Sequence, residues 1–232
     1  MKKIFVIEGI DGSGKETQTK ELIRRLKENN INTYSISFPN YNELSSGPVR
    51  EYLNGSISKN TNDISAKATS YLFAIDRYIT FNKHVKSLYN DNNTVIIFDR
   101  YTQSNLIHQG GKIISKYGHN CKDKLDEFSD WLYNLEYVDL ELPKPTLTFY
   151  LHIPLEISIK MMEHRNNKIT NDEKKDINES NLDFLKNSTA SGLYYAKSQN
   201  WNIIECTKDN KLRSIEDISD EIFKLVLKYI NS

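Results

Sequence analysis

Residues 4–17 read Ile-Phe-Val-Ile-Glu-Gly-Ile-Asp-Gly-Ser-Gly-Lys-Glu-Thr. An apolar β-branched run leads into a glycine-rich turn that ends in Gly14-Lys15. Gly9, Gly14 and Lys15 stand at the G-x-x-x-x-G-K positions of a phosphate-binding loop between a strand and a helix. The glycines of such a loop let successive backbone N–H groups turn inward, so that Asp11, Gly12, Ser13 and the following helix start face a polyphosphate. Lys15 adds a point charge on the transferring phosphoryl group.

One position departs from the pattern. The residue after the lysine is ordinarily Ser or Thr, whose hydroxyl binds Mg²⁺; here it is Glu16, and the hydroxyl follows at Thr17. Glu16 in the first helical turn is favoured by the helix dipole. It either ligates Mg²⁺, a hard cation that prefers oxygen, or points sideways into solvent.

At 232 residues the chain fits one α/β domain, 1–232. Lysine plus arginine number 31 and aspartate plus glutamate 31, a net charge of zero. That argues against a general nucleic-acid binder, which needs a basic excess. The two cysteines, Cys121 and Cys206, lie far apart and suggest neither a metal knuckle nor a disulfide framework. Reduced thiols, no apolar stretch near the roughly 18 residues of a membrane span and no signal-peptide core predict a cytoplasmic protein without a membrane partner.

Strand-like runs at 3–7, 33–38, 95–98, 146–153 and 201–206 alternate with helical patterns at 15–29, 48–53, 65–89, 122–137, 155–162, 177–199 and 215–230. Apolar strands between helices predict a parallel sheet of about five strands with helices on both faces, a three-layer P-loop sandwich. Ligands on such sheets bind at the carboxyl ends of the strands. The glycine loop, Phe38-Pro39 and Asp99-Arg100 all follow strands, so they converge on one site.

Other residues carry chemistry in that setting. Asp99 would hold Mg²⁺ or its water, and Arg100 offers a bidentate fork to phosphate; the plainer reading is an Asp-Arg pair at a strand end. Phe73 and Arg77, four apart on one helical face, would sandwich a base and donate to its carbonyls, or else be core and snorkelling arginine. Ser104, His108 and Gln109 lie just past the Asp99-Arg100 turn, and Gln109 can read a base edge. Residues 163–176 carry Arg165, Lys168, Lys174 and Lys175 and read either as a solvated loop or as a short polar lid bringing cations to the transferring group.

Taken as an ordered set, these residues resemble the thymidylate kinases (dTMP kinases) of the nucleoside-monophosphate kinase superfamily. The matching pieces run from the glycine loop through Phe38-Pro39, 72–78, Asp99-Arg100-Tyr101 with Ser104 and Gln109, and Leu142-Pro143-Lys144-Pro145, to Asp176 and Glu179. The resemblance implies ATP with Mg²⁺ as donor and dTMP as acceptor. It puts Asp11 on the acceptor's sugar hydroxyl, Phe73 stacked on the base, and Arg77 and Gln109 on its edge, while the His108 ring is read from its own chemistry as one that can stack on a base. It has Arg100 bridging the phosphates and Lys15 with Arg165 on the transferring group. It also implies a homodimer packed through helices. After Phe38-Pro39 the family generally carries an arginine for the acceptor phosphate, where this chain has Asn40-Tyr41; Arg50 is the substitute the sequence offers.

Three other readings remain open from sequence. One is a kinase for another deoxynucleotide or for a deoxynucleoside, with Glu8 as the base a hydroxyl acceptor needs. The others are a regulatory P-loop ATPase and a nucleotide-binding protein without turnover.

Overall fold

The computed structural model describes residues 3–91, 93–163, 176–209 and 211–230. The chain begins with β1 (Lys3–Glu8), α1 (Lys15–Glu28) and β2 (Thr33–Ser37). Then come α2 (Gly47–Leu53) and α3 (Ala66–Thr80), which runs through a π-helical turn into α4 (Lys86–Asp91). β3 (Val95–Asp99), α5 (Thr102–Tyr117) and α6 (Lys122–Tyr133) follow, and α6 continues into a second π-helical turn over Asn134–Asp139. The last part holds β4 (Leu147–His152), α7 (Leu155–Glu163), α8 (Leu182–Ser198), β5 (Asn202–Glu205), a hairpin of β6 (Thr207–Lys208) with β7 (Lys211–Leu212), and α9 (Ile215–Ile230).

The five long strands form one parallel sheet in the order β2-β3-β1-β4-β5. Side chains of successive strand residues point to opposite faces, and the cores divide accordingly. Phe5, Ile7, Val95 and Ile97 pack with Leu22 and Leu26 of α1 and Ile218, Ile222 and Val226 of α9. Ile4, Val6, Ile96 and Phe98 pack instead with Phe38, Phe81, Val85 and Tyr101. The central strand is therefore buried on both sides, as its unbroken apolar run predicts. Register brings the carboxyl ends level: Ile7 and Ser37 each pair with Asp99. Everything that follows these strands is delivered to one edge.

The sequence reading has no helix between 98 and 122, yet α5 is buried along most of its length, with Lys112, Gln103, Asn105 and Gln109 among its buried residues. Gly110 and Gly111 let α5 approach α8 closely; a Cβ at either position would strike Ser191 or Ser188. Polar residues and glycines fill many of its buried positions, so the sequence there does not read as an apolar stripe. The helical pattern at 177–199 begins later than expected, because Asn181 caps α8 through Phe184 N at 3.0 Å.

Polar groups among these helices converge on Glu136. Its carboxylate takes Arg77 Nε at 2.7 Å and Nη2 at 2.5 Å, Thr102 Oγ1 at 2.8 Å and Asn105 Nδ2 at 3.2 Å. The pair is fully buried, so its desolvation is offset only while both charges are present. Glu136→Ala should lower the unfolding free energy by about 3–5 kcal/mol by stranding Arg77. The double change Arg77→Met with Glu136→Leu should lose much less. Urea unfolding of the three proteins checks this, and a single variant as mild as the double would contradict it.

Candidate active site

The loop after β1 takes the conformation its glycines permit. Gly9, Gly12 and Gly14 have φ of 151°, 75° and 86°, values that side chains with a Cβ rarely adopt. At Gly12 space is also short: a Cβ would meet the carbonyl of Ser158 and the side chain of Met162 on α7. Ser158 Oγ donates to the Asp11 carbonyl at 2.6 Å, so α7 braces the loop from outside. Gly14 caps α1 without a side-chain hydrogen bond, which leaves the first-turn amides turned toward the loop.

Lys15 is buried and donates its ammonium to the carbonyls of Gly9 at 3.0 Å and Ile10 at 2.7 Å. Burial pulls it down to about 7, and the neighbouring Arg100 charge adds to this. An anion at the loop would restore its full charge. Ser13 Oγ, also buried, has no hydrogen-bond partner among the described residues. Glu16 is exposed and pairs with Lys20 Nζ at 2.7 Å, the sideways orientation of the two the sequence allows. Thr17 follows on the exposed side of the first turn.

Beside the loop lies a cavity of about 410 Å³. Asp11 and Arg100 belong to its wall and join it to the loop; Arg100 Nη2 is paired with Asp11 Oδ1. Phe38, Phe73, Ser104, His108 and Gln109 line it, as the sequence reading brings together. Gln109 is 1% exposed and its Oε1 has no partner among the described residues. Ser104 Oγ is engaged, donating to Glu8 Oε2 at 2.8 Å. His108 stacks on Phe184, rings 6.1 Å apart and 8° from parallel, and its Nε2 lies 3.2 Å from Arg100 Nη1. Burial, with Arg100 and Lys15 adding to it and Asp11 opposing, pulls His108 down to about 3, so the ring is neutral and accepts from Arg100.

Two expected residues are elsewhere. Arg77 does not line the cavity; its fork is bound by Glu136, a partner that no motif in the sequence announces. Arg50 does not line it either: it donates to Ser46 Oγ at 3.2 Å and to the Tyr41 carbonyl, with its guanidinium 5.1 Å from the Tyr41 ring centre. Tyr41 takes the wall position, beside Asn40. Arg165 and most of the expected lid lie outside the described residues. Asp176, Asn178 and Glu179 complete the wall on the far side of that segment. Burial, with Glu179 and Asp11 nearby, raises Asp176 to about 7.

Asp99 ends β3 next to the loop. Its Oδ2 is 3.4 Å from Ser37 Oγ, and its buried Oδ1 has no partner among the described residues. Among the described residues no cluster of three metal-ligating side chains occurs. A lone open carboxylate beside a phosphate loop suits Mg²⁺, which keeps waters and phosphate oxygens and takes one or two protein carboxylates.

The family model described as thymidylate kinase matches residues 7–222. A thymidylate kinase of Prochlorococcus marinus (strain AS9601) is 30% identical over 97% of this chain and 95% of its own. One from Plasmodium falciparum (isolate 3D7) is 29% identical over 97% and 90%. A probable thymidylate kinase of Caldivirga maquilingensis is 24% identical over 96% and 93%. The chain belongs to the thymidylate kinase family. The thymidylate kinase resemblance noted from motifs therefore extends over nearly the whole chain, and the five-strand parallel sheet agrees with it.

Within this thymidylate kinase chain, Asp76 is a residue whose work the sequence reading overlooked. It accepts Asn40 N at 2.9 Å and Ser45 Oγ at 2.7 Å, so the residue before Arg77 shapes the cavity wall at Asn40-Tyr41. The available signal was its place in the 72–78 motif.

His108 sets a pH dependence with a definite sign. Its folded value lies below its ordinary 6.5, so its contribution to stability is complete above pH 6.5 and is lost as pH falls from 6.5 toward 3. His108→Gln should flatten that part of the curve. The check is urea midpoints at pH 6.5, 5.5 and 4.5; parallel curves for the two proteins would refute the buried neutral ring.

Proposed function

We propose that this protein transfers the γ-phosphoryl group of MgATP to dTMP, giving ADP and dTDP. The observation that carries the reading is the junction of a phosphate loop with a cavity through the Asp11–Arg100 ion pair. The loop takes the donor polyphosphate, and the cavity takes a flat acceptor against Phe73 with Gln109 at its edge. Gln109 Oε1, Ser13 Oγ and Asp99 Oδ1 are buried polar atoms without partners among the described residues. Such atoms are costly unless a ligand satisfies them.

In this reading Lys15 moves its ammonium from the loop carbonyls to the donor phosphates, and Arg100 lies between donor and acceptor phosphates. Asp11 meets the acceptor's sugar hydroxyl beside Arg100. Catalysis is then positioning and charge stabilisation, since an acceptor phosphate is already an anion and needs no general base. Mg²⁺ would be held by Asp99, whose buried Oδ1 is open among the described residues, and would neutralise charge on the donor oxygens. A hydroxyl acceptor fits less well. Both oxygens of Glu8, the candidate base, already accept hydrogen bonds, from Tyr101 N at 2.7 Å and from Ser104 Oγ. The cations of 164–175, with Arg165 first, are assigned to the transferring group on the resemblance alone.

The reading extends to a cytoplasmic homodimer. No described helix is long and apolar enough to cross a membrane. Tyr71, Ile75 and Tyr78 form an exposed apolar stripe along α3, at the spacing of one helical face. A second copy of the chain suits that face.

Coupled ADP release with MgATP should be strongest with dTMP in a panel that includes dUMP, dCMP, dGMP, AMP and thymidine. Lys15→Ala should cut the dTMP rate by about 10² or more; acceptor-independent ADP release would replace the kinase with an ATPase. Light scattering should give twice the 27.0 kDa chain mass for the parent protein and the single-chain mass for Ile75→Glu. A parent protein at 27.0 kDa would remove the dimer.

A further inference from the structure

Tyr52, on α2, is fully buried and is not part of the cavity wall, yet it touches residues of that wall on different elements. Its ring meets Phe73 of α3 edge-on, with centroids 6.3 Å apart and planes at 80°. Its hydroxyl donates to Asn178 Oδ1 at 3.0 Å, and the neighbouring Leu53 carbonyl accepts Ile177 N at 3.1 Å. Lys112 Nζ lies 4.8 Å from the centre of the Tyr52 ring. That amine is itself fixed by the Ile64 carbonyl at 3.0 Å and Thr69 Oγ1 at 2.7 Å. Lys112 stands on α5 one turn after Gln109. One ring therefore meets α3, α5 and the 176–181 turn at once.

We propose that Tyr52 is a positioning residue for the nucleotide acceptor: its edge fixes the tilt of the Phe73 ring, and its hydroxyl holds Asn178 at the matching distance. The inference rests on the acceptor reading of the cavity. An edge-to-face aromatic pair has a preferred geometry, so a ring clamped by a hydrogen bond at one end and by the anchored Lys112 amine over its face transmits that geometry to its neighbour. Phe73 and Asn178 then keep the acceptor's slot open before the ligand arrives, which lowers the ordering cost of binding.

The test is calorimetric titration of dTMP, and separately of ADP, into the parent protein, Tyr52→Phe, Asn178→Ala and the double variant. Tyr52→Phe keeps the ring and the amine over it and removes only the hydroxyl. Each single variant should bind dTMP about fivefold more weakly, the effect of one hydrogen bond. The double variant should be no weaker than the worse single, because the two share one bond. ADP affinity should stay within about twofold. A double variant weakened by the product of the singles, or an equal loss of ADP affinity, would make the residue merely structural and overturn the inference. A parent protein that binds dTMP with variants that bind it equally well overturns the inference alone. A parent protein that binds no dTMP removes the acceptor reading and the inference with it.

Discussion

The site depends on how the chain leaves β3. Arg100 has φ of 70°, a left-handed conformation that costs a residue with a Cβ about 1–2 kcal/mol. Two hydrogen bonds from the central strand hold it there: Arg100 N to the Ile7 carbonyl at 3.0 Å, and Tyr101 N to Glu8 Oε1 at 2.7 Å. Glu8 is buried, and burial raises its carboxyl above the ordinary range while Arg100 and its own hydrogen bonds pull the other way. This one carboxylate ties the phosphate loop's strand to the start of α5. The left-handed turn sends the Arg100 side chain back over the loop to Asp11, and α5 leaves with Ser104, His108 and Gln109 aligned along the cavity.

The parts of this arrangement legible in the sequence are those that local chemistry dictates. A glycine loop between an apolar run and a helix has few physical interpretations, and Gly9, Gly12 and Gly14 take the positive φ values that the motif requires. The five strands are short apolar runs, which a sheet covered on both faces produces. α5 escaped because its signals are all non-local. Its polar residues are buried against partners far away in sequence, Asn105 with Ser70 and Glu136, Lys112 with Ile64 and Thr69. Its glycines serve the close approach of α8, whereas a sequence reading takes paired glycines as a break.

The arginines divide along the same line. Arg100 was legible because its strand end fixes it. Arg50 and Arg77 have long side chains whose direction depends on what else is charged or aromatic nearby. Tyr41 claims the first and Glu136 the second. Nothing about Glu136 in the run Leu135-Glu136-Tyr137 distinguishes it from a solvent-facing acid; only the fold brings four donors around it.

The charge balance of the loop and cavity bears on what completes them. Among the described residues on the loop and the cavity wall, the cations are Lys15 and Arg100, facing Asp11, Asp99, Asp176 and Glu179. Lys15 is depressed by burial and by Arg100 rather than sustained by these acids, and His108 stays neutral. Asp176 is raised to about 7. An arriving polyphosphate restores charge to Lys15, while Asp11 and Asp99 beside it oppose the added negative charge. In the proposed reading a divalent cation at Asp99 offsets part of that opposition. The sequence between α7 and Asp176 carries Arg165, Lys168, Lys174 and Lys175. α7, which leads into it, braces the loop at Gly12, and Asp176, which follows it, closes the cavity. In the proposed reading those cations serve the transferring group, as phosphoryl transfer demands of a protein that keeps no arginine in its phosphate loop.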